Sequence, residues 1–170
     1  REKWKGKWGQ NPEPPQTIQV HDRYNSGHIV GRVVISKQFK WEMGHRIPWH
    51  KGGCQNVHGH SYILIVELEG EAGESGMVTD YGDISACVKP ILAELDHSYM
   101  IDPSDSDMRR TLTELGLKMT EVPFFTTAEN IVLWLGERLR TSLITGSVNL
   151  MRLTVKETAS TSASAEWRFA

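Results

Sequence analysis

The fold of this chain is decided by residues 58–69, which read His58-Gly59-His60-Ser61-Tyr62-Ile63-Leu64-Ile65-Val66-Glu67-Leu68-Glu69. In a β-strand, successive side chains point to opposite faces. One face of a strand here carries His60, Tyr62, Leu64, Val66 and Leu68, and the other carries Ile63, Ile65, Glu67 and Glu69. The alternation therefore predicts a β-strand that begins at a pair of histidines.

The two histidines at the start of this strand predict a metal site. His58 and His60 flank a single residue, so both imidazoles point to one face and can reach one ion. His45 lies far enough upstream to arrive from an adjacent antiparallel strand. Three histidines that leave one coordination position open are typical of catalytic zinc. A His-x-His pair alone is common on surface strands, but the third histidine and nearby Cys54 favour a Zn²⁺ site.

Cys54 precedes the histidine pair and has three interpretations. As a fourth ligand it would close the site into a structural zinc centre with one cysteine and three histidines. As a buried structural thiol it would be inert. A thiol beside a metal or a cationic histidine ionises more readily, and it would then serve as a base or a nucleophile.

The hydrophobic pattern predicts a second strand and a helix around this centre. Residues 30–36 are rich in β-branched side chains and lead to His45, which predicts a strand. A helix after Asp80 or Asp83, either of which can cap it, has apolar residues at helical spacing and ends at Asp96-His97. Its apolar positions are Ile84, Val88, Ile91, Leu92 and Leu95.

The second half of the chain predicts another helix and two strands. Thr126 and Glu129 have the spacing of a capping box, and the apolar face that follows contains Ile131, Leu135, Leu139 and Leu143. Residues 102–123 predict a polar connection with a short helix near 108–117. Strands are predicted at 148–157 and 166–169. Two strands, two helices and two strands favour an α+β fold.

Length and composition indicate one compact domain. The chain has 170 residues with 39% hydrophobic side chains, and residues 1–28, with Trp4, Trp8 and a proline cluster, predict an N-terminal extension to a domain at 29–170. No apolar run approaches the roughly 18 residues of a membrane span, and no signal peptide is recognisable. We therefore expect a cytoplasmic protein with no membrane partner.

Charge and cysteine content narrow the partners and the compartment. The formal net charge of −2 gives no attraction to nucleic acid, so none is expected as a partner. Cys54 and Cys87 can form one disulfide, but a reducing compartment with a working Cys54 thiol is favoured for a chain of this size.

Five segments, taken in order, resemble the 6-pyruvoyl-tetrahydropterin synthase and 6-carboxy-tetrahydropterin synthase family. The resemblance covers about residues 31–170, and several motifs in register are more specific than any one. The segments are Cys54-x-x-x-His58-Gly59-His60, Gly76-Met77-Val78-x-Asp80-Tyr81, Leu95-Asp96-His97, Thr127-x-Glu129-Asn130 and Glu157-Thr158. One departure is Trp41-Glu42-Met43-Gly44-His45, where the family commonly has Phe-x-Ala-Ala-His, and this change leaves the ligand in place.

The resemblance implies a fold, an assembly and roles for residues. The fold is the tunnelling fold, an antiparallel four-stranded sheet with two helices, whose subunits close a barrel and stack into a homohexamer. Cys54 would be the catalytic base, and Asp96 with His97 would complete the proton transfer. Glu157 would accept hydrogen bonds from the pterin, for which a carboxylate has paired acceptors. Thr127 would lie beside the pterin, although helix capping also explains this segment.

The implied reaction converts 7,8-dihydroneopterin triphosphate to 6-carboxy-5,6,7,8-tetrahydropterin, acetaldehyde and triphosphate, in queuosine and other 7-deazaguanine biosynthesis. Two alternatives stay open: a 6-pyruvoyl-tetrahydropterin synthase, and a non-catalytic assembly module stabilised by zinc. Relatives with glutamate in place of the cysteine act towards folate, and Cys54 argues against that branch. Charge and proximity to Cys54 make Arg46, His50 and Lys51 candidate triphosphate contacts.

Overall fold

The structure is a computed structural model that describes residues 24–25, 28–29, 31–143 and 146–169. The chain divides into two units, 1–30 and 31–170. In the first unit, strands β1 (Tyr24–Asn25) and β2 (His28–Ile29) pair antiparallel. The rest of the predicted extension, including Trp4 and Trp8, lies outside the described residues.

A mixed six-stranded sheet forms the body of the second unit. Its long strands are β3 (Arg32–His45), β4 (His58–Glu71), β7 (Val148–Lys156) and β8 (Ser162–Arg168), and they pair antiparallel in that order. Two short strands, β5 (Ser98–Ile101) and β6 (Met119–Glu121), extend the sheet in parallel beyond β3. The full strand order is β6-β5-β3-β4-β7-β8.

In the described part of the chain three α-helices accompany the sheet: α1 (Tyr81–Leu95), α2 (Ser106–Glu114) and α3 (Ala128–Leu143). The predicted α+β class and the four antiparallel strands are confirmed, and α2 corresponds to the short helix predicted near 108–117. The expected number of four strands in the sheet was wrong, because β5 and β6, on either side of α2, extend it to six. Strands of three or four residues are too short to produce a recognisable alternation in the sequence.

The core lies between the sheet and the two long helices. On β4, the alternate residues Tyr62, Leu64, Val66 and Leu68 are fully buried, as the sequence pattern predicted. The predicted apolar stripes of α1 and α3 are buried as well, and the two helices contact each other and the sheet. This packing fixes one face of β4 against the core and so determines which way the histidines at its start point.

The start of α3 differs by one residue from the predicted capping box. The helix begins at Ala128, and the Thr127 hydroxyl lies 3.5 Å from the Asn130 amide, which is the geometry of an N-cap. Thr126 is instead fully buried, and its hydroxyl donates to the Arg46 carbonyl at 3.1 Å. The prediction was wrong because the Thr126 side chain is buried and bonds to Arg46, the residue that follows β3, instead of to the start of the helix.

Candidate active site

The pairing of β3 with β4 brings the three predicted metal ligands together. His45 lies directly opposite His58, and Met43 lies opposite His60. Ring nitrogens of His45, His58 and His60 all lie within 4.8 Å of one another. Because these residues occupy one face of two adjacent strands, the sheet itself positions them to bind a metal ion.

Backbone carbonyls select the ring nitrogen that two of the histidines present. The Nδ1 of His45 donates to the Thr126 carbonyl at 2.8 Å, and the Nδ1 of His58 donates to the Asn56 carbonyl at 2.8 Å. In both rings Nε2 therefore keeps its lone pair for a metal. Histidine ligands are commonly oriented in this way, by an N–H bond on the far side of the ring.

Burial favours the neutral form of His45 and His60, which is the form that binds metals. His45 is 2% exposed, and burial lowers its pKa to about 4, helped by His58 and His60 and opposed by the hydrogen bond to Thr126. Burial also lowers the pKa of His60, although the charge of Glu157 acts in the opposite direction. Three imidazoles on one face of the sheet fit a divalent ion that prefers nitrogen ligands, as zinc does.

Cys54 lies on the loop that joins β3 to β4. It occupies a short 3₁₀ turn, Gly53–Gln55, and its carbonyl accepts a hydrogen bond from the Ile47 amide at 2.8 Å. The thiol is partly buried and lines the same cavity as the three histidines, a space of about 430 Å³. Within the part of the chain that the structure describes, the group with metal-ligand spacing contains the three histidines and not Cys54.

Glu157 and Tyr62 form a hydrogen-bonded pair beside the histidines. Glu157 follows β7 and lines the cavity, and its Oε1 accepts a hydrogen bond from the Tyr62 hydroxyl at 3.2 Å. The same Oε1 lies 3.9 Å from Nε2 of His45. Burial and the nearby Glu157 carboxylate raise the pKa of Tyr62, so its hydroxyl stays protonated and donates.

The alternation of β4 predicts Tyr62 only as a core position of the strand. The signal that could have identified it is its spacing, since Tyr62 follows His60 by two residues and therefore shares the face of the histidines. The structure places its hydroxyl 3.4 Å from Nε2 of His45. A protonated phenol at that position contacts both the histidine cluster and Glu157.

Of the other residues predicted to bind substrate, two line the cavity and two do not. Thr127 lines the cavity, as does His50, whose Nδ1 accepts from the Gly52 amide at 2.9 Å and leaves its other nitrogen as a donor. Arg46 is held away by two hydrogen bonds, of 2.7 and 2.6 Å, to the buried Asp105 carboxylate. Lys51 is exposed and does not line the cavity. Of the three residues considered for triphosphate, His50 is the one that lines this cavity.

Asp96 and His97 lie elsewhere, at the end of α1. His97 lines a second cavity of about 330 Å³, which is bordered by Glu42, Ser61 and also His60. Cys54 does not line this second cavity, and His97 does not line the cavity of Cys54. The structure does not bring the two predicted catalytic groups together within one chain.

The two side chains of this turn nevertheless form a pair. Asp96 Oδ2 lies 2.9 Å from Nδ1 of His97, and Asp96 Oδ1 accepts from the Glu42 amide at 2.9 Å. The bond from Glu42, followed by the bond from His97, lowers the pKa of Asp96. His97 has φ of 55°, a backbone conformation that non-glycine residues adopt rarely and that clusters at functional sites. Its side chain is 77% exposed.

Comparison with known sequences identifies the family. A family model described as 6-pyruvoyl tetrahydropterin synthase matches residues 34–167. A Haemophilus influenzae protein named 6-carboxy-5,6,7,8-tetrahydropterin synthase is 39% identical over 114 residues, which cover 62% of this chain and 81% of that protein. An Aquifex aeolicus protein of the same name is 30% identical over 153 residues, 76% of this chain and 94% of that protein.

Solved structures agree on the fold. The 6-pyruvoyl tetrahydropterin synthase of Plasmodium vivax matches with a TM-score of 0.66 at 20% identity, over 82% of this chain and 99% of that chain. An uncharacterized protein from Wolinella succinogenes matches with a TM-score of 0.64 at 25% identity, over 79% and 97%. The fold implied by the sequence resemblance is confirmed, and so is the resemblance itself: this chain belongs to the 6-pyruvoyl tetrahydropterin synthase family.

Proposed function

We propose that this chain is a zinc-dependent lyase that converts 7,8-dihydroneopterin triphosphate to 6-carboxy-5,6,7,8-tetrahydropterin, acetaldehyde and triphosphate in 7-deazaguanine biosynthesis. The observation that carries the proposal is one cavity lined by His45, His58, His60, Cys54 and Glu157. Relatives named 6-carboxy-5,6,7,8-tetrahydropterin synthase at 30–39% identity support the choice of product.

The three histidines would hold the zinc ion, and Cys54 lines the same cavity. An ion held there would supply Lewis-acid polarisation of the hydroxyl oxygens on the substrate side chain, which would acidify the neighbouring C–H. Sγ of Cys54 accepts that proton, because the 3₁₀ turn places the thiol at the rim of the cavity near the histidines. The loop of residues 46–57 thus brings the base to a metal centre that the sheet builds.

Glu157 anchors the pterin. Its carboxylate accepts from Tyr62 through Oε1 only, which leaves Oε2 for the amino and ring N–H donors of a pterin. The Tyr62 bond also fixes the plane in which the carboxylate is presented. Thr127, on the neighbouring wall of the cavity, adds a hydroxyl beside the ring.

Asp96 and His97 act on the cavity of a second copy of the chain. His97 lines a different cavity from Cys54, and its side chain is 77% exposed, which leaves it accessible to a neighbouring subunit. A homo-oligomer, for which we propose a hexamer, supplies the pair in trans. The imidazole of His97 can then exchange a proton with the substrate.

The cytoplasm is the compartment that we propose. Cys54 and Cys87 are both free, which suits a reducing environment and a working thiol. No helix in the described ranges combines the length and the apolar character that are needed to cross a bilayer.

Turnover of 7,8-dihydroneopterin triphosphate, followed by mass spectrometry of the products, tests the proposal. We expect the 6-carboxy product, with acetaldehyde and triphosphate in equal amounts. Formation of the 6-pyruvoyl product instead would assign the chain to the other branch of the family. No turnover by the zinc-loaded oligomer would favour the non-catalytic assembly module.

Glu157→Gln tests the pterin anchor. The amide keeps the volume but presents a donor where the pterin also presents donors, so at least one hydrogen bond is lost. We expect the apparent affinity for the dihydropterin to fall about tenfold or more, which corresponds to about 1.4 kcal/mol, with the zinc content unchanged. Glu74→Gln, a change of an exposed carboxylate that does not line the cavity, is the matched control and should leave the affinity unchanged. Unchanged affinity in a zinc-loaded Glu157→Gln variant would place the anchor elsewhere.

Complementation tests the shared site. Cys54→Ala and His97→Ala are each expected to be nearly inactive, because each removes one side of the site. Co-expression with different tags should restore activity to about a quarter of the wild-type value, since random assembly joins one intact cavity with one intact pair in that fraction of sites. Co-expression of Cys54→Ala with His60→Ala, which alter the same cavity, should restore none. Continued inactivity of the first mixture would argue against action in trans.

A further inference from the structure

The carboxyl end of α1 is held by side chains from β5, from β6 and from Lys118, the residue before β6. The last four carbonyls of a helix have no partner within the helix and need one elsewhere. Here Nζ of Lys118 donates to the Ala93 carbonyl at 2.9 Å and to the Asp96 carbonyl at 2.6 Å. The hydroxyl of Thr120 donates to the Glu94 carbonyl at 3.1 Å. Ser98 donates to the Leu95 carbonyl at 2.7 Å.

These donors also connect to one another and to the sheet. The hydroxyls of Ser98 and Thr120 lie 3.1 Å apart, and the Tyr99 amide donates to the Lys118 carbonyl at 3.1 Å. Lys118 immediately precedes β6, which pairs in parallel with β5. We call Lys118, Thr120 and Ser98 the carbonyl clamp. A lysine at a helix carboxyl end is also favoured by the helix dipole.

The clamp acts at the turn that carries the Asp96–His97 pair. One of the two carbonyls that Lys118 contacts, that of Asp96, belongs to the peptide bond between Asp96 and His97. On the other side of that bond, the His97 amide donates to the Glu42 carbonyl at 2.7 Å. The peptide plane is therefore fixed at both ends, while His97 occupies the left-handed backbone region. Such a conformation persists only where its surroundings determine it strongly.

We infer that Lys118 is a positioning residue for His97. The role rests on the proposed action of the Asp96–His97 pair, because Lys118 contacts the backbone of this turn and would affect the reaction only through the position of His97. It also gives a role to the segment between β5 and β6, which contains α2: this segment leads to Lys118, whose ammonium group contacts the peptide bond that precedes His97. Freed from the clamp, the turn can leave its strained conformation, and the imidazole loses its fixed direction.

Lys118→Met removes the charge and both hydrogen bonds while keeping the aliphatic stem. We expect kcat for 7,8-dihydroneopterin triphosphate to fall about tenfold, as a misplaced catalytic group causes, with KM and zinc content unchanged. Lys89→Met, on the exposed side of the same helix, is the matched control and should leave all three unchanged. Lys118→Arg, which restores a long cationic donor, should recover part of kcat.

A double-mutant cycle separates this inference from the proposed function. In a His97→Ala background, Lys118→Met should cause no further loss of kcat, because the two residues act as one unit. An additional tenfold loss there, or wild-type kcat in Lys118→Met alone, would overturn the positioning role. If His97→Ala itself retains full activity, the proposed function of the pair fails instead.

Hydrogen–deuterium exchange gives a result that does not depend on turnover. The His97 amide is bonded to Glu42, so a peptide containing it should exchange faster in Lys118→Met and at the wild-type rate in Lys89→Met. Thr120→Val removes the bond to the Glu94 carbonyl and the contact with the Ser98 hydroxyl but leaves both bonds of Lys118, so it is the milder second variant and should show the same change to a smaller degree. Unchanged exchange in both variants would contradict the inference even if kcat falls.

Discussion

His60→Ala is expected to release the metal and abolish turnover. Two remaining imidazoles rarely hold zinc, and His60 contributes one of only three nitrogens within the 4.8 Å group. Metal analysis of the purified variant after dialysis measures the first effect, and product formation measures the second. His58→Ala should behave in the same way, because both residues present their rings from one face of β4.

The control for this prediction is His50→Ala. His50 lines the same cavity but its Nδ1 is occupied by the Gly52 amide, and it does not belong to the ligand group. Its variant should therefore keep a full complement of zinc. Full zinc occupancy in folded His60→Ala would refute the proposed ligand set. Because zinc stabilises the state that binds it, the His60→Ala variant should also melt at the temperature of the chelator-treated wild type.

Cys54→Ala is expected to keep the zinc and to lose activity by a factor on the order of 100 or more, which is the usual effect of removing a positioned general base. The histidine cluster stands on β3 and β4, whereas Cys54 stands on the intervening loop, so the substitution leaves the metal centre intact. Steady-state kinetics should show the loss in kcat, with a smaller change in KM.

Cys87→Ala provides the matched control for a lost thiol. Cys87 lies on α1, where its thiol contacts the Ser142 carbonyl, and its removal should leave turnover near the wild-type rate. Loss of zinc in Cys54→Ala would reveal Cys54 as a fourth ligand and restore the structural-zinc interpretation. Retention of both zinc and activity would remove Cys54 from the chemistry and leave the base to be sought among the other cavity residues.

Local pattern was sufficient to predict the metal centre's framework. The alternation through β4 predicted which side chains share a face. The antiparallel register of β3 and β4 then places His45 opposite His58. The stripes of α1 and α3 are equally local, because helical spacing alone defines them. The roles of Cys54, Glu157 and Thr127 came from the family resemblance and stay predictions.

Other features depend on contacts between distant segments, which a single sequence does not encode in a readable way. Nothing near Arg46 in the sequence indicates that Asp105 will bind it, so its availability to a triphosphate was overestimated. The side of the sheet on which Asp96 and His97 emerge depends on how the end of α1 meets Glu42. Short strands such as β6 gain their conformation from the neighbour they pair with, not from their own composition.

The division of the site between a sheet and a loop has a consequence for how such an enzyme can change. The pairing of β3 with β4 fixes the positions of the ligands. An insertion of one residue within either strand would turn the following side chains to the other face and separate the histidines, so such insertions would destroy the metal site. The loop of residues 46–57, which carries Cys54, Trp49 and His50, is free of that parity constraint. New chemistry can therefore be explored by exchanging or resizing the loop, while metal binding is inherited unaltered from the strands on either side.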